Sequence, residues 1–303
     1  MRVSYFVILL ILNFFWAGTL SAYKVIGSQL TPGGIVTMRF AIAFLCLGVV
    51  WPWLPGKSPR GWDLVKTCIM GVVTFCCGHR LQVLGNQLGS AGNSSVLMGL
   101  EPLIASVAAA IVLREHIGPR RWTGFVLGLI GVVLLNSPWQ PGFRWTGLTA
   151  SLVFVASFLG EAAYSIIGKP ILARAGLMKV LGLALLAGTV ANLAIDGGQT
   201  LASARALTFS AWFILFWLAA LCTVIGYGFW YVAIRESEVN VAALTIFTQP
   251  VFGVALAALW VGEPLHWGQL WGGLVIILGL AIGLSRQLRS SRRGIANVPA
   301  CMD

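Results

Sequence analysis

Residues 101–131 read EPLIASVAAAIVLREHIGPRRWTGFVLGLIG, and residues 249–279 read QPVFGVALAALWVGEPLHWGQLWGGLVIILG. Overlaid at an offset of 148 positions, the two stretches match at Pro102/Pro250, Glu115/Glu263, Gly124/Gly272 and Gly131/Gly279. Ala109/Ala257 and Ala110/Ala258 coincide too, but alanine is common in this chain and adds little. With only 12 prolines and 9 acidic residues in 303, a shared register of scarce residues indicates an internal duplication.

Working outward, the chain is 58% hydrophobic and 10% charged, with a mean hydropathy of +0.88. A soluble domain of this length needs a more charged surface. Apolar stretches able to cross roughly 30 Å of hydrocarbon as helices recur from end to end. In the first half they run Tyr5–Gly27, Gly33–Trp53, Trp62–Leu84, Gly92–Leu113 and Trp122–Asn136. In the second they run Leu148–Gly168, Leu177–Ile195, Ala211–Ile234, Val239–Val261 and Leu270–Ser285. Ten spans is the reading; nine stays open, because Leu177–Ile195 is rich in glycine and alanine. The first run is too long for a signal-peptide core and is expected to remain as an uncleaved helix.

Charge supplies an independent check. With a cytoplasmic N-terminus and ten spans, 15 of the 20 basic residues fall inside, three (Lys24, Arg144, Arg205) outside, and two (Arg39, Arg80) within spans. That bias satisfies the positive-inside rule and accounts for the net charge of +11 without nucleic acid. Five spans per half turn the second copy upside down in the membrane. The expected fold is therefore an all-α integral membrane protein, with ten transmembrane helices in two inverted five-helix repeats. Residues 1–138 form the first repeat, 145–286 the second, and 287–303 a basic cytoplasmic tail able to touch anionic lipid. The linker at 137–144 carries Pro138, Pro141 and Gly142, and the most polar loop is read at Asp196–Ser210.

Several function classes lack support. Metalloprotease, serine-hydrolase, phosphate-loop and dinucleotide motifs are missing, and the three histidines (His79, His116, His266) are scattered. The adjacent pair Cys76–Cys77 has neither disulfide nor zinc spacing. No cofactor, metal or catalytic residue is expected. Glycines four apart (Gly124/Gly128, Gly268/Gly272, Gly279/Gly283) allow close helix approach, either between two chains or, preferred here, within one.

Chemistry should reside in the polar residues inside spans, where an ionisable group is costly and tends to face a cavity or a partner. Glu101 lies about nine residues into the fourth span, roughly 13 Å deep. Glu161 lies in the sixth span and corresponds by the 148 offset to Asn13; Gln249 corresponds to Glu101, and Tyr164 to Trp16. Trp16 and Tyr164 either line a cavity or pack. Arg39, near an outer helix end, either snorkels outward or pairs with a helix end, whereas Arg80, between His79 and Gln82, reads as a cavity wall. Asn93 is a weaker candidate. Pro102 and Pro250 each free a carbonyl one turn back and are expected to kink equivalent helices.

The first helix, with Trp16-Ala-Gly-Thr-Leu-Ser-Ala-Tyr-Lys24, resembles the opening of EamA-type members of the drug/metabolite transporter superfamily. Pro32 with Arg39-Phe40, then Glu101-Pro102, Glu115, Gly124 and Gly131, resemble that family's later motifs, which recur at Gln249-Pro250, Glu263, Gly272 and Gly279. The resemblance covers nearly the whole chain. It implies ten helices in two inverted repeats, cytoplasmic termini, and export of small metabolites or drugs. Thr19 departs from the asparagine common at that position, and His79-Arg80 from the usual apolar or aromatic pair.

The resulting expectation is a multi-pass secondary transporter of the cell inner membrane, exporting small organic metabolites such as amino acids, or drugs, by alternating access. Arg39 and Arg80 would hold an anionic group; Glu101 or Glu161 would hold an amine, or carry a proton if transport is coupled. The partners expected are a small-molecule substrate, the lipid bilayer and, with coupling, protons, in a monomer or homodimer. The alternatives are a nucleotide-sugar or other metabolite carrier and an intramembrane lipid-modifying enzyme.

Overall fold

A computed structural model describes residues 3–89, 91–139, 147–256 and 267–296. Among these, all regular structure is helical. Among the described residues, seven helices are long and apolar enough to cross a membrane: α1 (Tyr5–Ile26), α2 (Pro32–Trp53), α3 (Trp62–Leu88), α6 (Leu148–Ile171), α7 (Leu177–Ala204), α8 (Phe209–Glu236) and α10 (Trp267–Ser285). Between them lie the shorter apolar helices α4 (Val96–Val112) and α9 (Val239–Ala255), and α5 (Pro119–Asn136). The side chain of Asn93, the residue Glu263 and most of the 137–144 linker lie outside the described residues.

Local sequence sets the helix starts. Thr31 accepts a hydrogen bond from the Gly34 amide at 3.0 Å, and Pro32 occupies the first turn of α2, where its missing N–H is no loss. Thr208 caps α8 in the same way. Leu177–Ile195, the segment that left the span count open, is part of the long apolar helix α7.

Here one expectation is corrected. Instead of a polar loop from Asp196, α7 continues to Ala204. Asp196 itself leaves helical geometry (φ −142°, ψ 17°), and its carboxylate accepts from Thr37 at 2.8 Å. Anchored there, the chain re-enters the helix, and only a short turn separates α7 from α8.

Two irregularities lie in the long helices. α3 and α8 each contain a π-helical segment, at Val73–Gly78 and Leu218–Ile225. Such wide turns leave carbonyls for side chains to satisfy, and they occur often at functional sites. The prolines mark two more. Pro102 sits in the first turn after a break at Gly99–Leu100, and Pro250 follows a tight turn at Leu244–Phe247.

The 148-residue offset recurs in the contacts. A Cβ added at Gly124 would lie 3.0 Å from the Gly279 carbonyl oxygen; one at Gly272 would lie 2.6 Å from that of Gly131. These two contacts exchange when 148 is added to one partner and subtracted from the other. They hold α5 and α10 backbone to backbone within one chain, as the preferred reading of the glycine spacing required. Gly272→Leu should therefore destabilise the fold by about 3 kcal/mol, since its Cβ also meets the Leu135 amide nitrogen at 2.4 Å. Gly273 has nothing within 4 Å, so Gly273→Leu is the matched control. Thermal unfolding of both variants in detergent should separate them clearly; equal melting would refute the close packing.

Candidate functional site

A cavity of about 40 Å³ lies between helices of both halves. α1 contributes Trp16 and Thr19, α2 Arg39, α3 His79 and Gln82. α4 contributes Glu101, α6 Glu161, α8 Tyr227 and α9 Gln249.

Arg39 is buried, with 2% of its surface exposed, and does not snorkel. Its Nε donates to the Thr223 hydroxyl at 2.8 Å and its Nη1 to the Tyr23 hydroxyl. The guanidinium carbon lies 5.1 Å from the Phe40 ring centre. None of the ion pairs among the described residues includes Arg39. Neutral hydroxyls and ring faces offset only part of the desolvation of a buried cation. An anionic group entering the cavity would complete it.

Glu101 is buried at 8% exposure and has no hydrogen-bond or ion-pair partner among the described residues. Glu161 differs. One carboxyl oxygen lies 3.1 Å from His79 Nε2, and the other accepts from the Tyr227 hydroxyl at 2.9 Å. Tyr227 also lies 3.0 Å from His79 Nε2, and these two residues are 148 apart. His79 Nδ1 faces the Thr74 carbonyl at 2.9 Å, a carbonyl inside the π-helical segment of α3. In α8, Trp16 Nε1 donates to the Cys222 carbonyl at 2.8 Å. Cys222 is Thr74 shifted by 148, so each π-helical segment presents its equivalent carbonyl to a ring N–H.

Asn13 is consumed by structure. It donates to the Leu9 carbonyl and Thr245, and accepts from Gln249 Nε2 at 2.9 Å. By the offset, this amide pair corresponds to Glu161 and Glu101, which face the same cavity. Trp16 lines the cavity edge-on to Tyr227, with ring centres 5.5 Å apart. Tyr164 lies deeper, beside a smaller void, stacked on Tyr231 at 4.2 Å.

Arg80 lies elsewhere. Its Nη2 is 2.8 Å from the Asp196 carboxylate and its Nε donates to Asn192 at 2.6 Å, which ties α3 to α7. It does not line the main cavity.

The sequence reading missed Tyr227, Tyr23 and Thr223 as site members. Tyr227 was reachable, because adding 148 to His79 gives it.

The two ends of the helices carry parallel lysines. Lys169 Nζ donates to the Ser237 carbonyl at 2.6 Å and pairs with Glu115 at 2.8 Å. Glu115 also accepts from the Val239 and Asn240 amides, at 2.9 and 3.1 Å, where α9 begins. At the other end Lys24 Nζ donates to the Gly89 carbonyl at 2.7 Å, and Gly89 is Ser237 less 148. Beyond the spans, hydrogen bonds from Arg174 to Asp63 at 2.8 Å raise the arginine's pKa, a surface link between the α6–α7 turn and α3.

The model of the EamA-like transporter family matches this sequence twice, at residues 3–137 and 148–284. The chain belongs to that family. It is a multi-pass membrane protein, as its long apolar helices require. An Archaeoglobus fulgidus protein named "Uncharacterized transporter" is 26% identical, over 88% of this chain and 94% of its own. A Streptantibioticus cattleyicolor protein named "Probable terminal-alkyne amino-acid exporter" is 25% identical, over 94% of both. A solved crystal structure superposes with a TM-score of 0.74 at 16% identity, covering 97% of this chain and 99% of its own. That likeness shows the fold alone.

Proposed function

We propose that this EamA-family chain is a secondary transporter of the cell inner membrane that exports a small zwitterionic solute, of amino-acid type, by alternating access. Its body would be ten membrane crossings in two inverted repeats, residues 1–138 and 145–286, with both termini cytoplasmic. The twofold family match and the reciprocal contacts at an offset of 148 support that architecture.

One observation carries the substrate reading. A buried cation without a carboxylate partner, Arg39, and a buried carboxyl without a hydrogen-bond or ion-pair partner, Glu101, both among the described residues, face one cavity. A solute with a carboxylate and an ammonium group would satisfy both, each through charge-assisted hydrogen bonds. The Glu115–Lys169 cluster would close the cytoplasmic side of the path.

Counterflow of radiolabelled amino acids in proteoliposomes tests the reading. Glu101→Gln keeps the shape but removes the charge, and should lower counterflow about 10- to 100-fold, the worth of a charge-assisted hydrogen bond. Parent-level uptake by that variant would refute Glu101 as the amine anchor. Absence of amino-acid counterflow in the parent protein would refute the substrate class.

A further inference from the structure

We infer that His79, Glu161 and Tyr227 form a binding site for a single proton, loaded from the cavity through Glu161. The link to transport rests on the transporter reading above; the proton site itself rests on geometry.

Counting hydrogens makes the case. The Thr74 carbonyl is only an acceptor, so His79 Nδ1, 2.9 Å away, must carry a hydrogen. Three further contacts join the remaining atoms: Nε2 to Glu161 at 3.1 Å, Nε2 to the Tyr227 hydroxyl at 3.0 Å, and that hydroxyl to Glu161 at 2.9 Å. The tyrosine supplies one hydrogen, which satisfies one contact. With neutral imidazole and ionised carboxylate, Nε2 and the nearer carboxyl oxygen would both be acceptors, facing each other without a hydrogen between them. One additional proton removes the conflict. It rests either on Glu161, whose O–H then donates to Nε2, or on Nε2, whose N–H then donates to Glu161. The proton count is the same in both forms, and Tyr227 donates to the other carboxyl oxygen.

Burial and access fit this role. The His79 side chain is 2% exposed and that of Glu161 15%, so the carboxyl is the member that water reaches. Loading transfers a proton from hydronium to the Glu161 carboxylate and leaves water; release reverses this. The charged and titratable groups around the ring are Arg39 from α2, Glu101 from α4, Tyr164 from α6, and Cys222 and Tyr231 from α8, with Tyr23 beyond Arg39. Arg39 opposes a second positive charge, and Glu101 favours one. The ring therefore senses the occupant of the cavity: an ammonium group at Glu101 would weaken proton retention, and a carboxylate on Arg39 would strengthen it.

The test needs no transported solute. Protein carrying Glu101→Gln, which removes the other cavity carboxyl, is placed in nanodiscs and titrated while infrared bands of carboxylic acid and imidazolium are followed. One titrating proton should appear. Glu161→Gln should abolish it, and His79→Gln should change its affinity by tenfold or more. Tyr227→Phe, which keeps the ring's bulk and the fold, should retain the proton but change its affinity about tenfold, the effect of one hydrogen bond to a charged group. A titration unaltered by all three replacements would overturn the site, as would none in the Glu101→Gln protein. Amino-acid counterflow without such a titration would overturn the proton site and leave the transport reading; the titration without counterflow would do the reverse.

Discussion

Arg39→Met should reduce amino-acid counterflow by about 100-fold or more while leaving the protein folded. A charge-assisted hydrogen bond to a solute carboxylate contributes about 3 kcal/mol at the upper end, which is roughly 100-fold in affinity. Methionine is unbranched and apolar, and it removes a buried cation whose desolvation is only partly offset by hydroxyls and rings. Thermal stability should therefore hold or rise as transport falls. Arg39→Lys should not restore flux, because a single ammonium cannot reproduce the fork that reaches Thr223 and Tyr23 together. Counterflow and unfolding measured on the same preparations check both claims. Flux retained in Arg39→Met would remove Arg39 from the site.

Glu115→Ala should act at the other end of the path. Four donors converge on that carboxylate: Lys169, the Val239 and Asn240 amides, and the Asn240 side chain at 2.8 Å. Its side chain is 6% exposed, so water cannot readily replace what is lost. Loss of a helix cap together with a buried ion pair should cost about 3 kcal/mol locally. Hydrogen exchange at Val239 and Asn240 should accelerate about 100-fold, and under the proposed orientation transport should fall because the cytoplasmic side would no longer close. Glu238→Gln is the control: its pair with Arg121 involves a carboxylate that is 41% exposed, and such surface pairs contribute little. Unchanged exchange in Glu115→Ala would show that the cluster does not hold the α9 start.

Much of the fold was legible because a bilayer imposes long, plain patterns. Hydropathy located Leu177–Ile195 within a helix, and scarce residues in register disclosed the duplication. What composition could not show is where a helix tolerates an acid. Asp196 reads as a loop residue, yet Thr37 and Arg80 bind it and the helix resumes. Arg80 was misjudged for the same reason, since its partner lies 116 residues away. Of the in-span polar residues singled out in the sequence, Glu101, Glu161, His79 and Arg39 line one cavity. Asn13 looked identical in kind, but it is engaged by Gln249 and Thr245. Tyr227 and Tyr23 were overlooked because an aromatic ring in a membrane helix is usually packing, and only three-dimensional pairing reveals the hydroxyl's task.

The widened turns at Val73–Gly78 and Leu218–Ile225 have a consequence for how this helix bundle tolerates change. Each α-helical residue advances the side-chain direction by about 100°. A wide turn accommodates extra backbone without altering which face the rest of the helix presents. Removing a single residue from Val73–Gly78 would close the wide turn to ordinary α-helix, so Gln82 and the residues beyond it keep their faces while the Thr74 carbonyl is withdrawn from His79. Across its relatives, those few positions should accept a one-residue deletion more readily than the regular turns on either side.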